Sequence, residues 1–200
     1  MIQRAAQFSA ATLSEALGKE GALPSSIKPI SAEMKVCGAV ITVSSPPADN
    51  LMLHRAIYLA QPGDVMVVEV AGFYEAGYWG DIMTQAALER GLGGLVIDGC
   101  VRDADDIEHS GFSVFARGLC IRGTSKHAGG FINRPIKIGE VTITPGDIVA
   151  GDRDGVVVIP RLEIDRVIAV AEQREQREHQ IRRELAAGKT TLEIYGWLDS

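Results

Sequence analysis

Apolar positions along the chain switch repeatedly between helical and alternating spacing. From Ser9 to Leu17 they recur at helical intervals, predicting a short amphipathic helix that gives way to the Gly/Pro/Ser-rich stretch "GALPSSIKP". "KVCGAVITVS" is rich in β-branched residues and predicts a strand ending at the "SPPADN" turn. Asn50 is placed to cap a helix over "LMLHRAIYLA", which stops before Pro62-Gly63. "DVMVVEV" is a nearly unbroken apolar run, the pattern of a strand covered on both faces. A helix from about Ile82 to Arg90, closed by Gly91, leads into the strand "GLVID". Short strands follow at "SVFARG", "IKIGEVTI" and "DGVVVIP", with a tight Asp-Gly turn inside "TPGDIVAGDRDGVVV". A charged helix from about Arg161 to Ala187 completes a mixed α/β order.

Composition narrows the class. The 200 residues are 46% apolar and 23% charged, which suits one soluble domain. A net charge of -6 without a basic stripe argues against nucleic-acid binding. No stretch has the length or apolarity of a membrane span or signal peptide, so a cytoplasmic location is expected. Cys37, Cys100 and Cys120 make neither a disulfide framework nor a zinc motif and are expected to be buried thiols. The four histidines have no paired metal spacing, and "DRDG" at 152–155 reads as a turn rather than a calcium loop.

Chemistry concentrates between Trp79 and Asp103. Asp81 stands where an N-cap belongs, and the N–H groups of Ile82 and Met83 behind it offer an anion site at the positive end of a helix. Gly80 would let a ligand approach the backbone closely. Arg102 and Asp103 follow a strand end, where α/β proteins place ligands. Asp103 is a hard oxygen ligand suited to Mg²⁺ or Mn²⁺, and Arg102 a rigid fork for a carboxylate or keto oxygen. On spacing alone, the more ordinary reading of the same residues is a helix cap and a surface ion pair.

"WGD" at 79–81 followed by "GLGGLVIDGCVRD" at 91–103 resembles the class II pyruvate aldolases that cleave 4-hydroxy-4-methyl-2-oxoglutarate and 4-carboxy-4-hydroxy-2-oxoadipate. Their superfamily includes the regulator of ribonuclease E activity A, which lacks the aldolase residues. The signature is an Asp, twenty intervening residues and Arg-Asp, matched here by Asp81, residues 82 to 101 and Arg102-Asp103. "PGDVMVVEVAG" at 62–72 and "PGDIVAGDRDGVVVIP" at 145–160 extend the resemblance over nearly the whole chain.

The resemblance implies a compact α-β-β-α sandwich of swivelling-domain topology, one domain over residues 1–200, with 161–200 a helical tail against a neighbouring subunit. It implies a homotrimer or hexamer with the active site near a subunit interface, and a 2-keto acid as substrate. Asp103 would bind Mg²⁺ or Mn²⁺, Arg102 would stabilise a pyruvate enolate, and Asp81 would orient water in the metal's shell. The N–H groups of Ile82 and Met83, beside Gly80, would receive the pyruvyl carboxylate. Glu178 from a neighbour's tail, or failing that Glu175, would complete the site. "SEALG" before Lys19 and Lys189 in "AAGKTTLEIYG" depart from the family pattern, which bears on substrate and subunit contacts more than on the metal. The expected activity is retro-aldol cleavage of a 4-hydroxy-2-oxo acid to pyruvate, with oxaloacetate decarboxylation as a side reaction. The alternative is a non-catalytic protein that binds and inhibits a ribonuclease.

Overall fold

The computed structural model describes residues 1–127 and 129–197. Two helices, α1 (Ile2–Ala5) and α2 (Ala10–Ala16), precede strands β1 (Lys28–Pro29) and β2 (Val36–Ser44). Then come α3 (Leu51–Leu59), β3 (Val65–Glu69), α4 (Asp81–Glu89), β4 (Gly94–Ile97) and β5 (Cys100–Val101). Helix α5 (Ala104–Ser110) leads to β6 (Val114–Ala116), β7 (Gly118–Leu119) and β8 (Phe131–Ile132). Hairpins β9 (Ile136–Ile138)–β10 (Val141–Ile143) and β11 (Ile148–Asp152)–β12 (Gly155–Ile159) precede α6 (Ile164–Ala186) and α7 (Thr191–Tyr195).

The main sheet runs β1-β6-β4-β3-β2-β11-β12, parallel from β6 to β2 and antiparallel at both ends. One stretch of chain covers both of its edges. Gly21 and Leu23 hydrogen-bond β12 through Val158 N–H to Gly21 O at 2.8 Å and Leu23 N–H to Val156 O at 2.9 Å. A few residues later the same stretch becomes β1 on β6, so the sheet is nearly closed and neither edge is left to pair with another chain.

Alternation along the strands divides the apolar residues between two layers. Val149, Val156 and Val158 join the main core with α3, α4 and α5, while Ile148, Ala150, Val157 and Ile159 face α1, α2 and α6. This is why β11 and β12 read as continuous apolar runs: each is covered on both faces. Only the first turns of α6 are buried, through Ile164, Val167, Ile168 and Ala171.

The expected elements are present, with five corrections. Asn50 occupies the N-cap position of α3 but its side chain does not cap; Asp49 Oδ1 instead accepts from Leu51 N–H at 2.9 Å. Gly80 rather than Asp81 is the N-cap of α4, and Asp81 is its first residue. The tail helix begins at Ile164 rather than about Arg161, after a 3-10 turn at Arg161–Glu163, which makes it about 35 Å long. Helix α5 directly follows Asp103, where no helix was expected. The three cysteines are half-buried rather than buried, because they stand at strand ends and beside α1 rather than in the core. Burial still pushes the Cys37 thiol up to about 11. The "DRDG" turn joins β11 and β12, as its composition indicated. Of the tail expected over 161–200, residues 198–200 lie outside the described residues. Among the described residues no helix is long and apolar enough to cross a membrane.

Candidate active site

Three short segments lie side by side and end at the same place. Tyr78 N–H donates to Cys100 O and Arg102 N–H to Trp79 O, each at 2.9 Å, while Cys120 N–H donates to Val101 O at 2.9 Å. The chain therefore delivers Gly80–Asp81, Arg102–Asp103 and Cys120–Ile121 together. Two buried aromatic residues anchor the first segment. Tyr78 Oη accepts from Ala48 N–H at 2.8 Å and donates to Phe73 O at 3.0 Å. Trp79 Nε1 donates to Thr84 Oγ1 at 2.8 Å, and its ring stacks on Phe112.

Asp103 has left-handed backbone angles, φ 58° and ψ 42°. A non-glycine residue in that region costs about 1–3 kcal/mol unless its surroundings enforce it, and such strain gathers at functional sites. Asp103 is the N-cap of α5, yet its carboxylate does not cap that helix. It turns instead toward the start of α4, where Asp81 N–H lies 3.3 Å from Oδ2. Arg102 Nε lies 3.4 Å from the same oxygen. Both contacts are long, and the two side chains are 46% and 30% exposed, open to a ligand.

Gly80 makes this arrangement possible. Its φ of -153° is one any residue adopts, so the requirement is space. A Cβ there would overlap Asp103 Oδ2 and lie 3.3 Å from Arg102 Nε. The N–H groups of Ile82 and Met83 belong to the first turn of α4 and have no helical acceptor. They border a cleft of about 220 Å³ with Gly80, Asp81, Arg102, Asn50, His54, Thr124 and Lys126. A second recess of about 260 Å³, lined by Asp103, Leu119, Cys120 and Ile121, opens on the other side of Arg102.

A larger recess of about 430 Å³ lies between Leu17–Ala22 and β10–β12. Its buried carboxylate, Asp147, is already taken by Thr144 N–H at 2.8 Å and Arg161 N–H at 3.0 Å. Size alone therefore does not mark the site; underused polar groups do.

The cleft's far wall was not expected from the sequence. Asn50 and His54 come from the N-cap position and first turn of α3, and Thr124 and Lys126 from the loop after β7. Burial and the nearby Lys126 hold His54 below its usual value, favouring neutral imidazole. No local motif marks these residues, because they meet the Asp81–Asp103 stretch only through the fold. Glu178, in contrast, is not brought to the cleft within one chain. It lies on α6, paired with Arg174 at 3.2 Å and Arg182 at 3.1 Å, and Glu175 is likewise absent from the lining.

The donor set suits a hard divalent cation. Among the described residues no three His, Cys, Asp or Glu side chains cluster as a metal cage. Mg²⁺ and Mn²⁺ need no such cage, since they are commonly held by one or two carboxylates with water and substrate oxygens. Asp103, kept accessible by the bare Gly80, fits that role.

Residues 10–158 match the family described as RraA-like, Aldolase/RraA, and the chain belongs to it. It is 35% identical over 187 residues, 94% of this chain and 88% of the other, to a Halalkalibacterium halodurans protein named "Putative 4-hydroxy-4-methyl-2-oxoglutarate aldolase". A solved structure of an uncharacterized protein from Pseudomonas syringae pv. tomato superposes with a TM-score of 0.85 at 30% identity, covering 94% of this chain and 89% of that one. The RNA-processing inhibitor RraA from Thermus thermophilis superposes with a TM-score of 0.69 at 26% identity, covering 76% of this chain and 93% of that one. The family thus includes relatives named as aldolases and as inhibitors of RNA processing.

Proposed function

We propose that this chain is a divalent-metal-dependent aldolase that cleaves a 4-hydroxy-2-oxo acid, such as 4-hydroxy-4-methyl-2-oxoglutarate, to pyruvate and a second keto acid. The observation that carries this reading is the Asp103 carboxylate, strained, turned away from its own helix and held open beside Arg102 by the bare Gly80. An inhibitor that works by surface contact has no need of that arrangement.

Asp103 would hold Mg²⁺ or Mn²⁺, which when bound supplies Lewis-acid polarisation of the 2-oxo acid. The N–H groups of Ile82 and Met83, at the positive end of α4, would receive the carboxylate. Arg102 would direct its N–H donors at the keto oxygen, where negative charge grows as the C3–C4 bond breaks. Asp81, exposed at the start of α4, would orient water for proton transfer. Oxaloacetate decarboxylation passes through the same enolate and is the expected side activity. In this reading the enzyme is a homotrimer or hexamer, and Glu178 reaches the cleft of a neighbouring copy.

Pyruvate release from a panel of 4-hydroxy-2-oxo acids and oxaloacetate, with and without EDTA, tests the proposal. EDTA-sensitive release is expected. A chain that releases no pyruvate from any of them but inhibits a ribonuclease would establish the alternative.

A further inference from the structure

Among the described residues, one buried side-chain nitrogen or oxygen has no hydrogen-bond partner: Oδ1 of Asn50. Asn50 is 6% exposed. Its Nδ2 donates to Tyr78 O at 2.9 Å and lies 3.4 Å from Met83 Sδ. Because a backbone carbonyl can only accept, the nitrogen must face Tyr78, and this fixes the oxygen on the other side. A buried acceptor left alone costs about 1–3 kcal/mol, so one in a native fold calls for a specific explanation, such as a functional partner or a bound water. Asn50 borders the same cleft as Ile82, Met83 and Arg102. A hydrogen-bond donor on a ligand seated in that cleft would satisfy it.

Resting on the aldolase reading, the donor can be identified. The carboxylate and keto groups of a 4-hydroxy-2-oxo acid only accept hydrogen bonds, and its C4 hydroxyl is the group that donates. We propose that Asn50 is a specificity-determining residue that binds this hydroxyl through Oδ1 and orients it for cleavage. As C3–C4 breaks, its electron pair passes to the pyruvate enolate, the O–H pair becomes the new C4 carbonyl, and the proton leaves to water. A proton from water then returns to C3. An amide is too weak a base to take the proton, so Asn50 positions the hydroxyl and selects substrates that carry one.

The test compares a substrate with the hydroxyl against ligands without it. For wild type, Asn50→Ala and Asn50→Asp, kcat/KM is measured for 4-hydroxy-4-methyl-2-oxoglutarate cleavage and for oxaloacetate decarboxylation. Inhibition by pyruvate serves as a second hydroxyl-free readout of the same cleft. In Asn50→Ala, cleavage is expected to lose at least about tenfold more than either hydroxyl-free readout, the size of one unsatisfied buried partner. Asn50→Asp keeps an acceptor but not the bond to Tyr78, and should retain the wild-type ratio better than Asn50→Ala. Equal losses in every readout, or an equal shift of ratio in both variants, would reduce Asn50 to a support for Tyr78 and overturn the proposal. A wild type that releases pyruvate from neither substrate would instead overturn the aldolase reading beneath it.

Discussion

Two carboxylates that begin helices, Asp49 before α3 and Asp103 before α5, are used in opposite ways. Asp49 is 3% exposed and fully engaged. It accepts from Leu51 N–H at 2.9 Å, Ser125 Oγ at 2.9 Å and His127 N–H at 2.5 Å, pinning the loop that carries Thr124 and Lys126 against α3. Asp103 is strained, partly exposed and held only by long contacts to Asp81 N–H and Arg102. A carboxylate whose acceptors are all filled is a strut. One that adopts a costly backbone conformation while making poor bonds is available for a ligand.

The comparison breaks first at Asp103. Asp103→Asn still tolerates the left-handed backbone, so the fold should persist. It removes the one charge that a cation could use at this position, so pyruvate release should collapse and excess Mn²⁺ should restore little. Retained turnover would make Asp103 a strut like Asp49. Arg102→Lys tests the neighbouring role. An ammonium cannot reproduce the guanidinium's planar fork, and losing one such charge-stabilising donor costs about 10²–10³ in kcat. Steady-state kinetics at saturating metal would show a kcat loss, whereas a mere surface ion pair would show none.

Gly80→Ala sharpens the same point without replacing a charged group. The added methyl fits the backbone but displaces Asp103 Oδ2. Misplacement of a reacting group by about 1 Å can cost on the order of 10² in rate. The loss should appear in turnover with little change in the thermal midpoint, and unaltered activity would show that the cleft is not built around that carboxylate.

Much of this was legible along the chain, for reasons particular residues make plain. Strands β2 and β3 and the presence of α4 follow from local apolar spacing and from glycine placement, although its N-cap is Gly80 rather than Asp81. Asp81, Arg102 and Asp103 stand out because one short stretch carries them all, at a family spacing. Asn50 misleads, because the capping rule sees its position but not the rival pull of Tyr78 O, which takes its amide while Asp49 takes the helix N–H. His54 and Lys126 leave no local signal. Their nearness to Arg102 is produced by the parallel crossover through α3 and the loop after β7, and a lone His or Lys reads as surface until the fold is known. The left-handed turn at Asp103 was equally hidden, since neither the helix that follows it nor its positive φ leaves a signal in the residues alone.

The smallest effect on chemistry, and the clearest on stability, belongs to Asp49. Burial alone would push its carboxyl up, but the hydrogen bonds from His127, Leu51 and Ser125 outweigh it and hold it below its usual 3.8. A carboxyl depressed in the folded state adds stability that is present above its unfolded value and is lost as pH falls through the lower folded value. Asp49→Asn replaces one acceptor with an N–H₂ facing donors, so about 1–3 kcal/mol should disappear at neutral pH. The gap between wild type and variant, followed by chemical denaturation, should stay constant down to about pH 4 and narrow below it as the wild-type carboxyl takes up its proton. Turnover of the variant, assayed well below its melting temperature, should change far less than in Asp103→Asn, because Asp49 holds a wall of the cleft while Asp103, in the proposed reading, would hold the metal. A gap that widens in acid would mean that Asp49 is protonated in the fold, and the contrast between strut and site would then have to be drawn elsewhere.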